Sequence, residues 1–257
     1  MFSKPEIIKY QLKFFNIWPP KHYFFINGWI LAFTGGVTGR SNSVLTVNYS
    51  GTDLAKDISL VESAYSKFHL PVRFKISDCL EPPELEDELL KRGYIYSDYS
   101  IISMGSNNIS IKGKLNEELV YKFANDQTPE FSHFLETYSS NYTEDQQIMV
   151  DITQRLIIPK KLFILAMKEK KIVGSVMVVL DPQGSMYVAE LFVHPEYRRQ
   201  QIGFSLLKKA ILLGKNSGAT SIWLHVEKEN TKALALYRKL GFRILYSYRY
   251  LLRESAV

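Results

Sequence analysis

Three patterns in the 257 residues predict an α/β protein with a mixed sheet. Apolar runs of strand length alternate with segments whose apolar residues recur at helical spacing, and Gly-aromatic pairs close two of those segments. Residues 24–47 hold two β-rich runs joined by a Gly/Ser/Asn-rich link, which reads as a strand, a long loop and a second strand. Residues 53–69, with Val61, Ala64, Tyr65 and Phe68 at helical intervals, predict a helix, and Leu70 to Ile76 alternates as a strand. Pro82-Pro83 opens an element with Leu85, Leu89 and Leu90 on one face; Gly93 ends it before a strand from Tyr94 to Met104.

The polar stretch from Gly105 to Leu115 is the best linker in the chain. It predicts a smaller α/β domain over 1–108 and a second domain over 115–257. In the latter, helices are expected around 127–140 and 144–157, and strands over 163–167 and 172–180 about the charged turn Lys168–Lys171. A strand over 185–193, a helix over 203–215, a strand over 221–226, a helix over 230–240 and a strand over 242–252 complete the pattern. Strand, helix, Gly-aromatic, strand occurs at 71–104 with Gly93-Tyr94 and again at 221–252 with Gly241-Phe242. The halves read either as a degenerate duplication or as two uses of a common helix stop.

Composition narrows the chemistry. Cys79 is the one cysteine, so neither an intrachain disulfide nor a cysteine-based metal cluster can form. The five histidines lack zinc-type spacing, and no metal is expected. The net charge of +6 favours an anionic ligand without choosing its class. No apolar run has the length of a membrane span, and no helix-turn-helix or aromatic-basic RNA signature is present. A cytoplasmic protein without membrane or nucleic-acid partners is therefore expected, its oligomeric state unread. Lys208 and Lys209 read as a solvated helix face.

The densest information lies in Val193-His-Pro-Glu-Tyr-Arg-Arg-Gln-Gln-Ile-Gly-Phe-Ser-Leu-Leu207 and Asn230-Thr-Lys-Ala-Leu-Ala-Leu-Tyr-Arg-Lys-Leu-Gly-Phe242. A strand leads through a basic turn into a helix at Gly203, so backbone N–H groups without intrahelical partners converge there and form an anion site. The order of these residues resembles the GNAT superfamily of N-acetyltransferases. The resemblance spans residues 115–252, with a looser likeness of the first half to a degenerate GNAT-like domain. It implies an acyltransferase that moves an acetyl group directly from acetyl-coenzyme A to a primary amine of a small molecule or peptide, with coenzyme A as product. The other reading of the same site is a non-catalytic acyl-coenzyme A sensor.

Carried onto this sequence, the resemblance implies that Phe192 and Val193 offer backbone groups to the pantetheine arm. Arg198, Arg199, Gln200, Gln201, Ile202, Gly203, Phe204 and Ser205 resemble the pyrophosphate loop, with Gln201 where the family usually has its first glycine. Asn230, with Ala233 in the next turn, matches the position that contacts the arm, and Tyr237 matches the tyrosine that protonates the departing thiolate. Tyr237 also shares a face with Ala233, Leu236 and Leu240, the pattern of a core aromatic. Glu190 is the candidate base or acceptor-positioning carboxylate, and His225 and Glu227 are candidates for the acceptor side. In the first half Trp29, Arg40 and Asn42 are candidates for a cleft wall, with core as the other reading of Trp29. Gly35 to Ser41 lacks phosphate-loop spacing and reads as a hairpin-like loop.

Overall fold

The computed structural model describes residues 2–35, 38–107, 113–138 and 159–253. The chain divides into two compact units: Met1–Ile102 with Glu227–Glu229 and Leu245–Val257, and Ser103–Val226 with Asn230–Ile244. In chain order the elements are α1 (Lys4–Ile17), β1 (His22–Ile26), β2 (Trp29–Phe33), a 3-10 turn (Gly39–Ser41), β3 (Val44–Leu45), α2 (Leu54–Lys67), β4 (Val72–Ser77), α3 (Leu85–Lys91), β5 (Ile95–Tyr96) and β6 (Ile101–Ser106). They continue with β7 (Val120–Ala124), α4 (Pro129–Tyr138), β8 (Lys160–Lys168), β9 (Lys171–Asp181), β10 (Ser185–Val193), a second 3-10 turn (Pro195–Tyr197), α5 (Ile202–Asn216), β11 (Ser221–Glu227), α6 (Thr231–Lys239) and β12 (Arg243–Arg253). The helix expected over 144–157 lies outside the described residues.

Three local features depart from the expected pattern. The N-terminal helix α1 was not expected. It starts on a cap in which Ser3 N–H and Oγ both donate to the Glu6 carboxylate at 2.8 Å, and buries Ile7, Gln11 and Phe14 on one face. The first β-rich run is a hairpin, not one strand: Asn27 and Gly28 take φ of 45° and 93°, the left-handed pair that a two-residue turn requires. The strand expected from Tyr94 to Met104 is split into β5 and β6, where Ser97 Oγ donates to Tyr99 O at 2.8 Å and turns the chain.

In the first unit β1, β2, β3 and β4 lie in order, with β12 beside β4 and β5 on β12. β3 runs parallel to β4, and α2 connects them. Trp29, Leu31, Phe33, Ile58, Val61, Tyr65, Phe74 and Leu251 form one core there, and Tyr65 OH donates to Ala32 O at 2.9 Å. Tyr248 to Arg253 pairs with Ser77 to Val72, so the end of the chain returns to the first unit. A boundary drawn at one point in the linear sequence cannot provide for that, because strand pairing does not follow chain order.

The second unit has the order β6-β11-β10-β9-β8-β7. β10 is antiparallel to β9 and parallel to β11, with α5 as the connection. α5 lies so close to β9 that a Cβ on Gly174 would stand 2.8 Å from Leu206 Cδ1 and 3.0 Å from Phe192 O. Both units also end their last described helix alike. Gly93 and Gly241 take φ of 81° and 85°, and the next N–H, of Tyr94 or Phe242, donates back to Leu89 O or Tyr237 O at 3.1 Å. The repeated sequence pattern thus corresponds to a repeated strand-helix-strand-helix arrangement.

Candidate active site

Two strands part at the site. The parallel pairing of β10 with β11 runs from Ser185 opposite Ser221 to Val188 opposite Leu224, yet the strands continue to Val193 and Glu227. Pairing of β10 with β9 shifts register between Ala189 and Phe192, and Glu190 inside the shift has φ 49°. Such a bulge bends the strand and re-aims its side chains. Phe192 and Val193 resume pairing with Ser175 and Gly174, so their edge towards β11 lies beyond the last parallel pair.

The chain then turns into α5 through two left-handed residues, Arg199 at φ 66° and Gln201 at φ 60°. Gln201 is the N-cap, and its side chain makes no capping bond. The first helical hydrogen bond is Ser205 N–H to Gln201 O at 2.9 Å, so the N–H groups of Ile202, Gly203 and Phe204 precede any carbonyl the helix can offer them. No acidic residue lies in that first turn. The side chains of Ile202, Phe204 and Ser205 are buried, and Ser205 Oγ accepts from Asn116 N–H at 2.9 Å. The loop therefore presents backbone. Arg198 folds back on the strand: its Nε donates to Val193 O at 3.2 Å, with the guanidinium 5.7 Å from the Phe192 ring centroid. Gln200 is tied through its carbonyl to Asn116 Nδ2 at 3.1 Å. A Cβ on Gly203 would make only ordinary contacts, at 3.4 Å from Val193 Cγ2 and 3.5 Å from Leu236 Cδ2.

Asn230 is exposed and caps α6, its Oδ1 accepting from Ala233 N–H at 3.1 Å. Tyr237 is 8 % exposed on that helix, and its ring lies 5.8 Å from that of Phe242. Burial, reinforced by nearby Tyr187, pushes the Tyr237 hydroxyl well above the ordinary tyrosine range, so it keeps its proton at neutral pH.

The sequence pattern did not single out Tyr187. It is buried on β10, its hydroxyl 3.3 Å from Nδ1 of half-buried His225 on β11, with Trp223 packed edge-on at 4.8 Å. Only the register that sets Tyr187 opposite Trp223 brings these groups together. Glu227 is exposed at the end of β11. Lys208 departs from the expected solvated face: it is 9 % exposed, with Nζ donating to Gly113 O, while Lys209 lies over the rings of Tyr121 and Phe123 at 5.5 and 5.8 Å. In the first unit Trp29 is fully buried, with Nε1 donating to Glu81 O at 2.8 Å. Asn42 is also fully buried and clasps its loop, accepting from Thr34 N–H at 2.6 Å and donating to Thr38 O at 2.8 Å.

Residues 120–242 match the profile of the acetyltransferase (GNAT) family. The chain carries a GNAT acetyltransferase domain. Over 245 residues the chain is 29% identical to an uncharacterized N-acetyltransferase, YobR, of Bacillus subtilis (strain 168), covering 92% of this chain and 94% of that one. An 86-residue stretch is 38% identical to N-alpha-acetyltransferase 30 of Homo sapiens, covering 32% of this chain and 24% of that one. In fold, the chain is similar over its whole length to a GCN5-related N-acetyltransferase from Kribbella flavida, with TM-score 0.70, 13% identity and 97% of that chain covered. It is also similar to a tandem GNAT protein from the clavulanic acid biosynthesis pathway, with TM-score 0.62 and 10% identity, covering 96% of this chain and 88% of that one. The mixed α/β GNAT architecture expected from sequence is the one observed.

Proposed function

We propose that the second unit transfers an acetyl group from acetyl-coenzyme A to a primary amine in a direct, ternary-complex reaction. One observation carries this reading: α5 starts with first-turn N–H groups that meet neither a side-chain cap nor an acidic residue. A helix start of that kind attracts a pyrophosphate. When bound, acetyl-coenzyme A supplies an acetyl group activated as a thioester. Backbone N–H groups of Ile202, Gly203 and Phe204 would hold its pyrophosphate, and the edge of Phe192 and Val193 left beyond the β11 pairing would hold its pantetheine amides.

Tyr237 then holds a proton for the departing sulfur, a proton its hydroxyl keeps at neutral pH. Two candidates receive the amine's proton: Glu190 at the bulge and the Tyr187–His225 pair, 3.3 Å apart. Both lie on the strands that part. The likeness of one stretch to N-alpha-acetyltransferase 30 favours peptide α-amines among the acceptors to be tried first.

Thiol release from acetyl-coenzyme A against panels of peptides, amino acids, polyamines and aminoglycosides tests the proposal. Turnover on at least one acceptor is expected. Tyr237→Phe should lower kcat by roughly 100-fold, the lower range of general acid catalysis, with coenzyme A affinity unchanged. Cofactor binding without turnover on any acceptor would instead make the second unit a sensor.

A further inference from the structure

Lys75 is a buried cation in the first unit that acetyl transfer in the second unit does not use. It sits on β4, only 4 % exposed, with its carbonyl accepting from Thr46 Oγ1 at 2.8 Å. Its neighbours Phe74 and Ile76 belong to the core that contains α2, so strand alternation turns Lys75 to the opposite face, towards α1. There Nζ lies 4.7 Å from the Tyr248 ring centroid and 6.0 Å from that of Phe14.

Tyr250 stands directly across from Lys75 in the β4–β12 pairing. It is buried, and its hydroxyl lies near the hydroxyls of Tyr248 and Ser43 without meeting ideal hydrogen-bond geometry to either. The 3-10 turn lies over that ring: a Cβ on Gly39 would be 3.3 Å from Tyr250 Cε2 and 3.4 Å from Tyr99 OH. The buried thiol of Cys79 bears on Lys75, and half-buried Arg40 of the turn bears electrostatically on both Lys75 and Tyr250, whereas no carboxylate is among the groups that do so. Ser41 beside it is buried, with a hydroxyl that also lacks a partner among the described residues.

Aromatic faces offset only part of the cost of burying an ammonium, and a second cation nearby adds to that cost. An anion beside Nζ would offset that cost. We propose that Lys75 and Tyr250 bind the oxyanion of a small ligand, a carboxylate or a phosphate, admitted at the rim formed by Arg40 and Tyr99. The ammonium supplies the charge and the phenol the directed hydrogen bond. Burial holds the apo Lys75 pKa down at about 8, and an oxyanion against Nζ favours the charged form.

The test uses the full chain at pH 7, titrated with inorganic phosphate and, separately, with acetate, and read by thermal melting and calorimetry. The chloride salt at equal ionic strength is the control. Because α5 of the second unit is itself an anion site, the titrations are run in a Gln201→Asp background. At least one of the two anions should stabilise that protein saturably, and adding Lys75→Met should weaken its binding at least tenfold. Arg40→Gln should weaken it by a smaller factor, and whichever anion responds identifies the ligand's head group. Equal stabilisation with and without Lys75→Met would overturn the proposal, as would no response to either anion up to about 100 mM. If Lys75→Met does not fold, Lys75→Gln is judged by the same criterion.

Discussion

The helix that follows the parallel strand in each unit starts in opposite ways. In the first unit α2 fills its own N-terminus with carboxylates. Asp53 caps Lys56 N–H at 3.0 Å, and buried Asp57 accepts from Asn27 Nδ2 at 2.8 Å and Tyr49 OH at 2.7 Å. In the second unit α5 has no side-chain cap and no acid in its first turn. The same macrodipole meets side-chain carboxylates in one unit and none in the other. Two similar strand-helix-strand-helix arrangements therefore differ by a few residues: one has carboxylates at its helix start, the other has none.

That contrast can be broken from either side. Gln201→Asp gives α5 the carboxylate that α2 has, at a left-handed position where Asp is tolerated. It should lower coenzyme A affinity at least ~100-fold by calorimetry while leaving stability equal or higher by about 1 kcal/mol in a thermal melt.

Lys75→Met tests the other unit. Burial lowers the Lys75 pKa from 10.5 to about 8, so between those values the unfolded chain holds a proton that the folded chain lacks. Stability from this group therefore rises with pH across that window. Denaturant titrations should find Lys75→Met more stable than wild type at pH 7, by up to roughly 3 kcal/mol, with the difference shrinking from about pH 8 to 10.5.

Asp57→Ala should destabilise the chain by about 1–3 kcal/mol, because it leaves Tyr49 and Asn27 without their acceptor, yet leave coenzyme A affinity unchanged. Gly203→Ala should do least. Its Cβ meets Val193 and Leu236 at ordinary distances, so coenzyme A affinity should fall by less than about threefold if backbone N–H groups, rather than the missing Cβ, make the site.

The order of residues from Val193 to Phe242 made the family resemblance and the local strand-turn-helix legible, because one contiguous stretch carries both. The Tyr187–His225 pair was not legible: those residues are 38 apart and meet only through the parallel register. Asn27-Gly28 carried a readable hairpin signal inside an apolar run that reads equally as one long strand. The burial of Lys208 depends on Gly113 lying over α5, and the return of β12 to the first unit depends on pairing with β4. Neither leaves a periodic trace.

The central claim is that backbone N–H groups at the start of α5 supply the binding energy for a pyrophosphate. Comparing the calorimetric Kd of coenzyme A with that of pantetheine, which shares the thiol arm but lacks pyrophosphate and nucleotide, tests it most directly. The account predicts that coenzyme A binds wild type at least ~100-fold more tightly, a difference of roughly 3 kcal/mol, and that Gln201→Asp closes most of that gap. Equal affinities in wild type, or a gap that Gln201→Asp leaves intact, would contradict it.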